Sequence, residues 1–297
     1  MIKSFAKVSS KRGLKLSLHK WNALTLVRSA KSNRTAICAF NVIMIEHAES
    51  YAQAAELAGQ PLILQISENA VKYHGSLKPI LIASKAIAEV SKEKLSIHLD
   101  HAENTELIKE ALDLGADSVM FDGSKLDYSL NVQTSGKMRE LAHSYGACIE
   151  VELGEIGGKD GVHAPGIRTQ PNDAKKFVAE TGVDMLAVAV GSSHAMTTRD
   201  ASLDFQLITE IANEVQIPLV LHGSSGVSDP DLQTAVYSGI SKVNIATHLN
   251  HVFTDSIRAI LNEDPKLVDP RKYLKKSRDA VAEESARLIK LLATRPN

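Results

Sequence analysis

The chain has 297 residues, of which 44% are hydrophobic and 23% charged, the make-up of an ordinary globular protein rather than a disordered or fibrous one. A formal net charge of −1 and an aromatic content of 4% give neither the electrostatic pull nor the stacking surface of a nucleic-acid binder. No apolar run approaches the length of a membrane span, so neither nucleic acid nor membrane is an expected partner.

The charge is uneven along the chain. No Asp or Glu precedes Glu46, while nine Lys or Arg do. Residues 1–34 therefore read as a basic extension that leads into a first helix, with an organellar transit peptide as the competing reading.

Eight short, nearly continuous aliphatic runs follow: 35–42, 61–67, 95–101, 118–124, 148–154, 185–191, 218–223 and 242–247. Such runs are the pattern of strands buried on both faces of a parallel sheet. Helical spacing fills most of the gaps, at 46–59, 104–116, 130–146, 171–182, 203–215 and 229–239. Gly59 is the expected stop of the first of these segments, and Asn104 or Thr105 the expected cap of the second. A strict β–α alternation repeated eight times predicts an α/β fold, a (β/α)₈ TIM barrel. Residues 1–297 are expected to form one domain, with 265–297 a helical tail that packs on the barrel or on a neighbouring subunit.

Cys38 and Cys148 both fall inside strand runs, where buried free thiols are expected; that fits a reducing cytoplasm.

The segments after the strands hold Gly, Ser, Asn, Asp and His, whereas the opposite connections, such as 58–61 and 115–117, are short and plain. This asymmetry marks the C-terminal rim of the barrel as the functional face. Three histidines sit at strand ends on that rim: His101, His194 and His222, with Asp100 directly before the first. Three imidazoles suit a catalytic zinc with an open position, and a neighbouring carboxylate suits proton transfer. Alternation along the strand turns His98 and Asp100 to one side and His101 to the other unless the strand ends there. Gly223, Ser225, Asn244 and Thr247 follow or end the last two strands, where barrels often bind phosphate; as isolated residues they read equally well as turn and cap residues. Glu152 ends the fifth strand and can point at a metal, while Glu155 can simply be solvated. Asn41 and Ser67 end the first two strands and either bind substrate hydroxyls or close turns. The long rim segment 154–171, with glycines at 154, 157, 158 and 161, has the composition of a closing lid.

These residues carry a resemblance. AFN at 39–41, HLDH at 98–101, VELG with GG at 151–158, VGSSH at 190–194, LHGSSG at 221–226, NIAT at 244–247 and DPRKYL at 269–274 resemble, in this order, the class II, zinc-dependent ketose-bisphosphate aldolases. The resemblance spans roughly 35–280 and includes enzymes for fructose and tagatose 1,6-bisphosphate. It implies one zinc ion on His101, His194 and His222, with room for a monovalent cation, and Asp100 as the acid that handles the substrate hydroxyl. It implies Glu152 as a carboxylate near the metal. It also implies Gly223, Ser225, Asn244 and Thr247 at the dihydroxyacetone-phosphate end, Arg271 at the far phosphate, and Asn41 and Ser67 against the substrate. Relatives are homodimers or homotetramers. Three positions depart from the family pattern: Ala195 stands where Gly is usual, Asp160 is the nearest match to the loop's acidic residue, and Lys125 stands where His is common.

The implied reaction is reversible cleavage of the C3–C4 bond to dihydroxyacetone phosphate and glyceraldehyde 3-phosphate. A phosphorylated keto-deoxy sugar acid that yields the same three-carbon product stays open as an alternative substrate, as does a non-catalytic aldolase-like subunit, although such a subunit would be expected to lose some ligands. A Schiff-base aldolase needs a lysine in the barrel mouth, yet Lys125 lies just beyond a strand run and Lys242 at the opposite end of its run. A barrel metallohydrolase often carries an H-x-H pair on strand one, which here reads AFNV.

Overall fold

The computed structural model describes residues 22–154 and 168–295. Eight parallel strands, β1 (Ile37–Asn41), β2 (Leu62–Ser67), β3 (Leu95–Ala102), β4 (Ser118–Phe121), β5 (Cys148–Leu153), β6 (Met185–Val188), β7 (Leu219–Leu221) and β8 (Ile240–Ile245), pair in chain order and close where β1 meets β8. The expected (β/α)₈ barrel is therefore the fold.

Each strand run is apolar throughout because each strand has two buried faces. The outward series, including Phe40, Leu64, Ile97, Val119, Ile149 and Val243, joins one large core with the surrounding helices. The inward series begins apolar at the bottom, with Ile37, Ile63, Met120, Cys148, Met185 and Val220, and these side chains pack against helix α1 (Ala23–Asn33). Ala23, Leu26, Val27 and Ala30 are the buried face of α1, which closes the barrel floor. Higher in the barrel the inward positions turn polar: Gln65, His98, Asp100, Glu150, Glu152, Lys242 and Asn244 are all buried. The same period-two alternation thus yields a dry floor and a chemically active mouth.

The remaining helices are α2 (Ile45–Ala58), α3 (Glu68–His74), α4 (Lys78–Val90), α5 (Thr105–Asp113), α6 (Tyr128–Ser144), α7 (Pro171–Thr181), α8 (Phe205–Glu214), α9 (Asp229–Ser238), α10 (Thr247–Glu263) and α11 (Pro270–Ala293). Gly59 ends α2 at φ +63° as expected, and Asn104, rather than Thr105, caps α5 by accepting from the Glu106 N–H. The C-terminal helix α11 lies across α2 and α10, and Leu292 carbonyl accepts from the Ala36 N–H at 2.9 Å, tying the end of the chain to the start of β1.

Two differences from the sequence reading matter for the site. Strand β8 begins and ends two residues earlier than expected, so Thr247 is the first residue of α10 and not a strand residue. Ala246, at φ −130° and ψ −71°, breaks the strand there. Between β2 and β3, where the alternation calls for a helix but no segment was singled out, stand two, α3 and α4; α3 is capped by Ser67, whose Oγ accepts from the Ala70 N–H.

Candidate active site

Strand β3 cannot deliver Asp100 and His101 to one place by simple alternation. Its pairing with β4 shifts register between Leu99 and Ala102, and His101 adopts φ +48°. This bulge, with one residue in the left-handed region, turns two consecutive side chains into the mouth. Both line a cleft of about 310 Å³ at the C-terminal rim, within the usual range for a small-molecule site.

The imidazoles of His101, His194 and His222 meet in this cleft. Ring centroids are 4.8 Å apart for His101 and His194, 4.6 Å for His101 and His222, and 5.7 Å for His194 and His222. His194 is brought in by a close approach between two loops. Gly223 sits at φ +64°, and a Cβ there would lie 2.6 Å from the Ser193 carbonyl carbon and oxygen, so only glycine lets the loop after β7 press against the loop that carries His194. Ala195 follows at φ +57°, a left-handed conformation that costs a non-glycine residue about 1 kcal/mol.

Carboxylates orient two of the rings. His101 Nδ1 donates to Asp122 Oδ2 at 2.9 Å, and His222 Nε2 donates to Glu150 Oε1 at 2.7 Å. The Asp122 carboxylate in turn accepts from the Ser124 hydroxyl and backbone N–H. With each ring N–H given to a carboxylate, His101 Nε2 and His222 Nδ1 face each other lone pair to lone pair at 2.9 Å. Two facing lone pairs at that distance favour a cation between or beside them, so the donor set fits a divalent metal of zinc's preference. The ligating atoms of the three histidines lie within 4.8 Å of one another. A second group able to hold a metal, His101 with Asp122 and Glu152, shares a residue with the first; Glu152 Oε2 is 3.8 Å from His101 Nδ1.

Asp100 is 2% exposed and surrounded by side-chain amides: Gln65 Nε2 donates to it at 3.3 Å, Asn41 Nδ2 at 3.4 Å and Asn244 Nδ2 at 3.5 Å. Burial alone would raise its pKa, but His101, His222, His98 and Lys242 outweigh burial and hold the carboxyl below the ordinary range. Gln65 also donates to Asn41 Oδ1 at 2.6 Å. Gln65 Oε1 and Asn244 Oδ1 are buried at the cleft with no hydrogen-bond partner among the described residues, which leaves two acceptors for hydroxyls of a bound molecule.

The opposite wall is built from the loops after β7 and β8. A 3₁₀ turn, Ser224–Gly226, carries Ser225, whose Oγ accepts from the backbone N–H of Ala246 and of His248. Ser225 therefore clamps the start of α10 to the β7 loop. The N-terminus of this 17-residue helix, with Ala246 and Thr247, opens onto the cleft and offers an anion site.

The cleft thus gathers Asn41, Ser67, Asp100, His101, His194 and His222 with Gly223, Ser225, Asn244 and Thr247. Glu152 is fully buried at the end of β5, beside His101. Asp160 and Glu155 lie outside the described residues. Arg271 stands apart: it occupies the first turn of α11, is 89% exposed, and is engaged by Asp269. Glu150, Lys242, Gln65 and Asp122 were not anticipated. Their signal was present as charged or polar residues at inward positions of otherwise apolar strand runs.

Lys242 is fully buried in mid-barrel, bonded to Glu150 Oε2 at 2.7 Å, and does not line the cleft. Among the described residues the lysines that do are Lys72 and Lys125, ion-paired at the rim with Glu68 and Glu103. Neither stands on a barrel strand, so no strand lysine reaches the mouth to form a Schiff base.

Known proteins of one family resemble this chain over almost its whole length. A sequence model described as "Fructose-bisphosphate aldolase class-II" matches residues 21–296. A "Probable fructose-bisphosphate aldolase" of Bacillus subtilis is 36% identical over 262 residues, covering 87% of this chain and 92% of its own. A "Fructose-bisphosphate aldolase" of Staphylococcus aureus is 35% identical over 269 residues, covering 89% and 94%. The crystal structure of the YdjI aldolase from Escherichia coli K12 superimposes with a TM-score of 0.79 at 28% identity, covering 92% of this chain and 96% of that one. With the barrel, the three converging histidines and these likenesses together, the chain belongs to the class II fructose-bisphosphate aldolase family and is an enzyme, a carbon–carbon lyase.

Proposed function

We propose that this enzyme is a zinc-dependent aldolase that reversibly cleaves a ketose 1,6-bisphosphate, fructose or tagatose, to dihydroxyacetone phosphate and glyceraldehyde 3-phosphate. The observation that carries the metal is the pair of carboxylate-oriented rings, His101 and His222, whose lone pairs face each other at 2.9 Å beside His194. When bound, zinc supplies Lewis-acid stabilisation of the charge that develops on the substrate oxygens as the C3–C4 bond breaks.

The chain's own residues then divide the work. Asp100 takes the C4 hydroxyl proton in cleavage and returns it in condensation; the amides of Asn41, Gln65 and Asn244 hold it in place. Asn244 Oδ1 and Gln65 Oε1 accept from sugar hydroxyls, with Asn41 and Ser67 beside them. Gly223, Ser225, Thr247 and the α10 N-terminus receive the phosphate of the three-carbon end, far enough from the reacting bond to spend binding energy on orientation. Glu152 stands by His101 as an alternative metal contact. Asp160 is the group proposed to carry the proton to the carbon end of the three-carbon fragment. At the distal end Lys72 and Lys125 face the second phosphate, since Arg271 lies outside this cleft. Residues 1–297 act as one barrel domain, and the buried free thiols Cys38 and Cys148 fit a reducing cytoplasm.

The test is metal-linked activity. Chelator-stripped protein should lose cleavage of both bisphosphates and regain it with one equivalent of zinc. His222→Ala should lose zinc and activity together while its circular dichroism stays that of the barrel. Full turnover in metal-free protein would refute the reading.

A further inference from the structure

The two carboxylates that orient the metal-facing histidines are supported very differently. Asp122, near the rim, is held by neutral donors, the hydroxyl and N–H of Ser124. Glu150, on β5 and fully buried, is held by a full positive charge: Lys242 Nζ, on β8, donates to its Oε2 at 2.7 Å. The other oxygen, Oε1, takes the N–H of His222, the residue directly after β7, at 2.7 Å. Side chains from β8, β5 and the end of β7 thus make a continuous line from the barrel axis to the ring whose Nδ1 faces His101. Beside this line, His98 Nε2 is 3.9 Å from Glu150 Oε2 and Asn244 Nδ2 is 3.2 Å from His222 Nε2. Burial would raise the Glu150 carboxyl, yet Lys242 and the His222 hydrogen bond hold it far below the ordinary range.

A buried ion pair between two strands stabilises a barrel little, because both charges have been taken out of water. What this pair does have is direction. With Oε2 fixed by Lys242, the carboxylate plane is fixed, Oε1 is aimed at His222 Nε2, and the ring can present only Nδ1 to the cleft. We propose that Lys242 is a positioning residue for the metal centre: acting through Glu150, it sets the orientation and tautomer of His222 and thereby the affinity of the site for zinc. The inference rests on the reading of His101, His194 and His222 as the metal ligands.

The test measures zinc dissociation constants of the full-length chain by chelator competition at one fixed pH, for wild type, Lys242→Met, Glu150→Gln and the double variant. Methionine keeps the length of lysine without its charge. Loss of an outer hydrogen-bonding partner of a metal-bound histidine typically weakens metal binding about 10–100-fold. Each single variant should fall in that range, and the double variant should be no weaker than Glu150→Gln alone, because Lys242 acts only through Glu150. The absorption bands of the cobalt-loaded protein should shift in Lys242→Met, a readout that loss of general stability would not move. Removing one partner of a buried pair can prevent folding, in which case the double variant, with neither charge, is the folded comparison.

Zinc affinity of folded Lys242→Met or of the double variant within about threefold of wild type, or single effects that multiply in the double variant, would overturn the inference. A wild-type chain that binds no zinc, or a His222→Ala variant that binds it as wild type does, would instead overturn the underlying reading of the ligands.

Discussion

Replacing Asp100 by Asn separates chemistry from architecture at this site. The carboxylate accepts three side-chain amides, all at 3.3–3.5 Å, which are long and hence weak hydrogen bonds. Asparagine keeps one oxygen. If that oxygen faces Gln65 and Asn41, only the longest contact, from Asn244, meets an NH₂ group. Asn244 can answer by turning its amide, because its Oδ1 has no partner among the described residues. The structural cost is therefore that of one or two ordinary hydrogen bonds, about 1–2 kcal/mol. The catalytic cost is larger. Asparagine cannot take up a proton, and general acid–base help is typically worth about 10²–10⁴-fold, or about 3–5 kcal/mol of barrier. Steady-state cleavage of fructose 1,6-bisphosphate should show kcat reduced by that factor, while zinc content, measured by atomic absorption, stays at one per chain. A kcat within about threefold of wild type would refute proton transfer by Asp100. A variant that lost zinc in step with activity would refute the division of labour between Asp100 and the histidines.

Two further outcomes test the scaffold. Ala195→Gly removes a methyl from a residue at φ +57°, so the metal-free chain should gain about 1 kcal/mol and melt a few degrees higher; an unchanged or lower melting temperature would mean the left-handed conformation is not a strain there. His47, packed between Tyr51 and Phe253, is pushed by burial down to about 4, whereas in the unfolded chain it protonates near 6.5. The unfolded state thus takes up the proton first, and stability that is complete above pH 6.5 should fall by up to about 3 kcal/mol on acidification to pH 4. His47→Leu should flatten this window in urea titrations at successive pH values, and parallel curves for the two proteins would count against it.

The eightfold alternation was legible because strands buried on both faces must be apolar throughout, and each of the eight runs overlaps a barrel strand. The three histidines were legible for a related reason: a polar residue that closes such a run has to lie at the rim. What stayed hidden depended on neighbours distant in sequence. Glu150 and Lys242 are ninety-two positions apart, and nothing local in the sequence pairs them; the barrel places them 2.7 Å from one another. The end of β8 was misplaced because Asn244, Ile245, Ala246 and Thr247 have no local feature that separates a strand end from a helix start; the break at Ala246 accompanies the clamp from Ser225. Alternation left the direction of His101 open because a bulge is a matter of pairing with β4.

That bulge has a kinetic consequence. Asp100 and His101 are adjacent in the chain and held in a barrel strand, so the distance between the backbones of the proposed proton-transfer group and a proposed metal ligand is fixed by covalent geometry. Neither backbone can move toward the substrate without the other. Any rearrangement during turnover must therefore carry the sugar, or the residues that cover it, to a stationary acid and ligand. Rate-limiting motion, where it exists, should respond to solvent viscosity and to changes in the rim segments, and remain indifferent to substitutions on the outer face of β3.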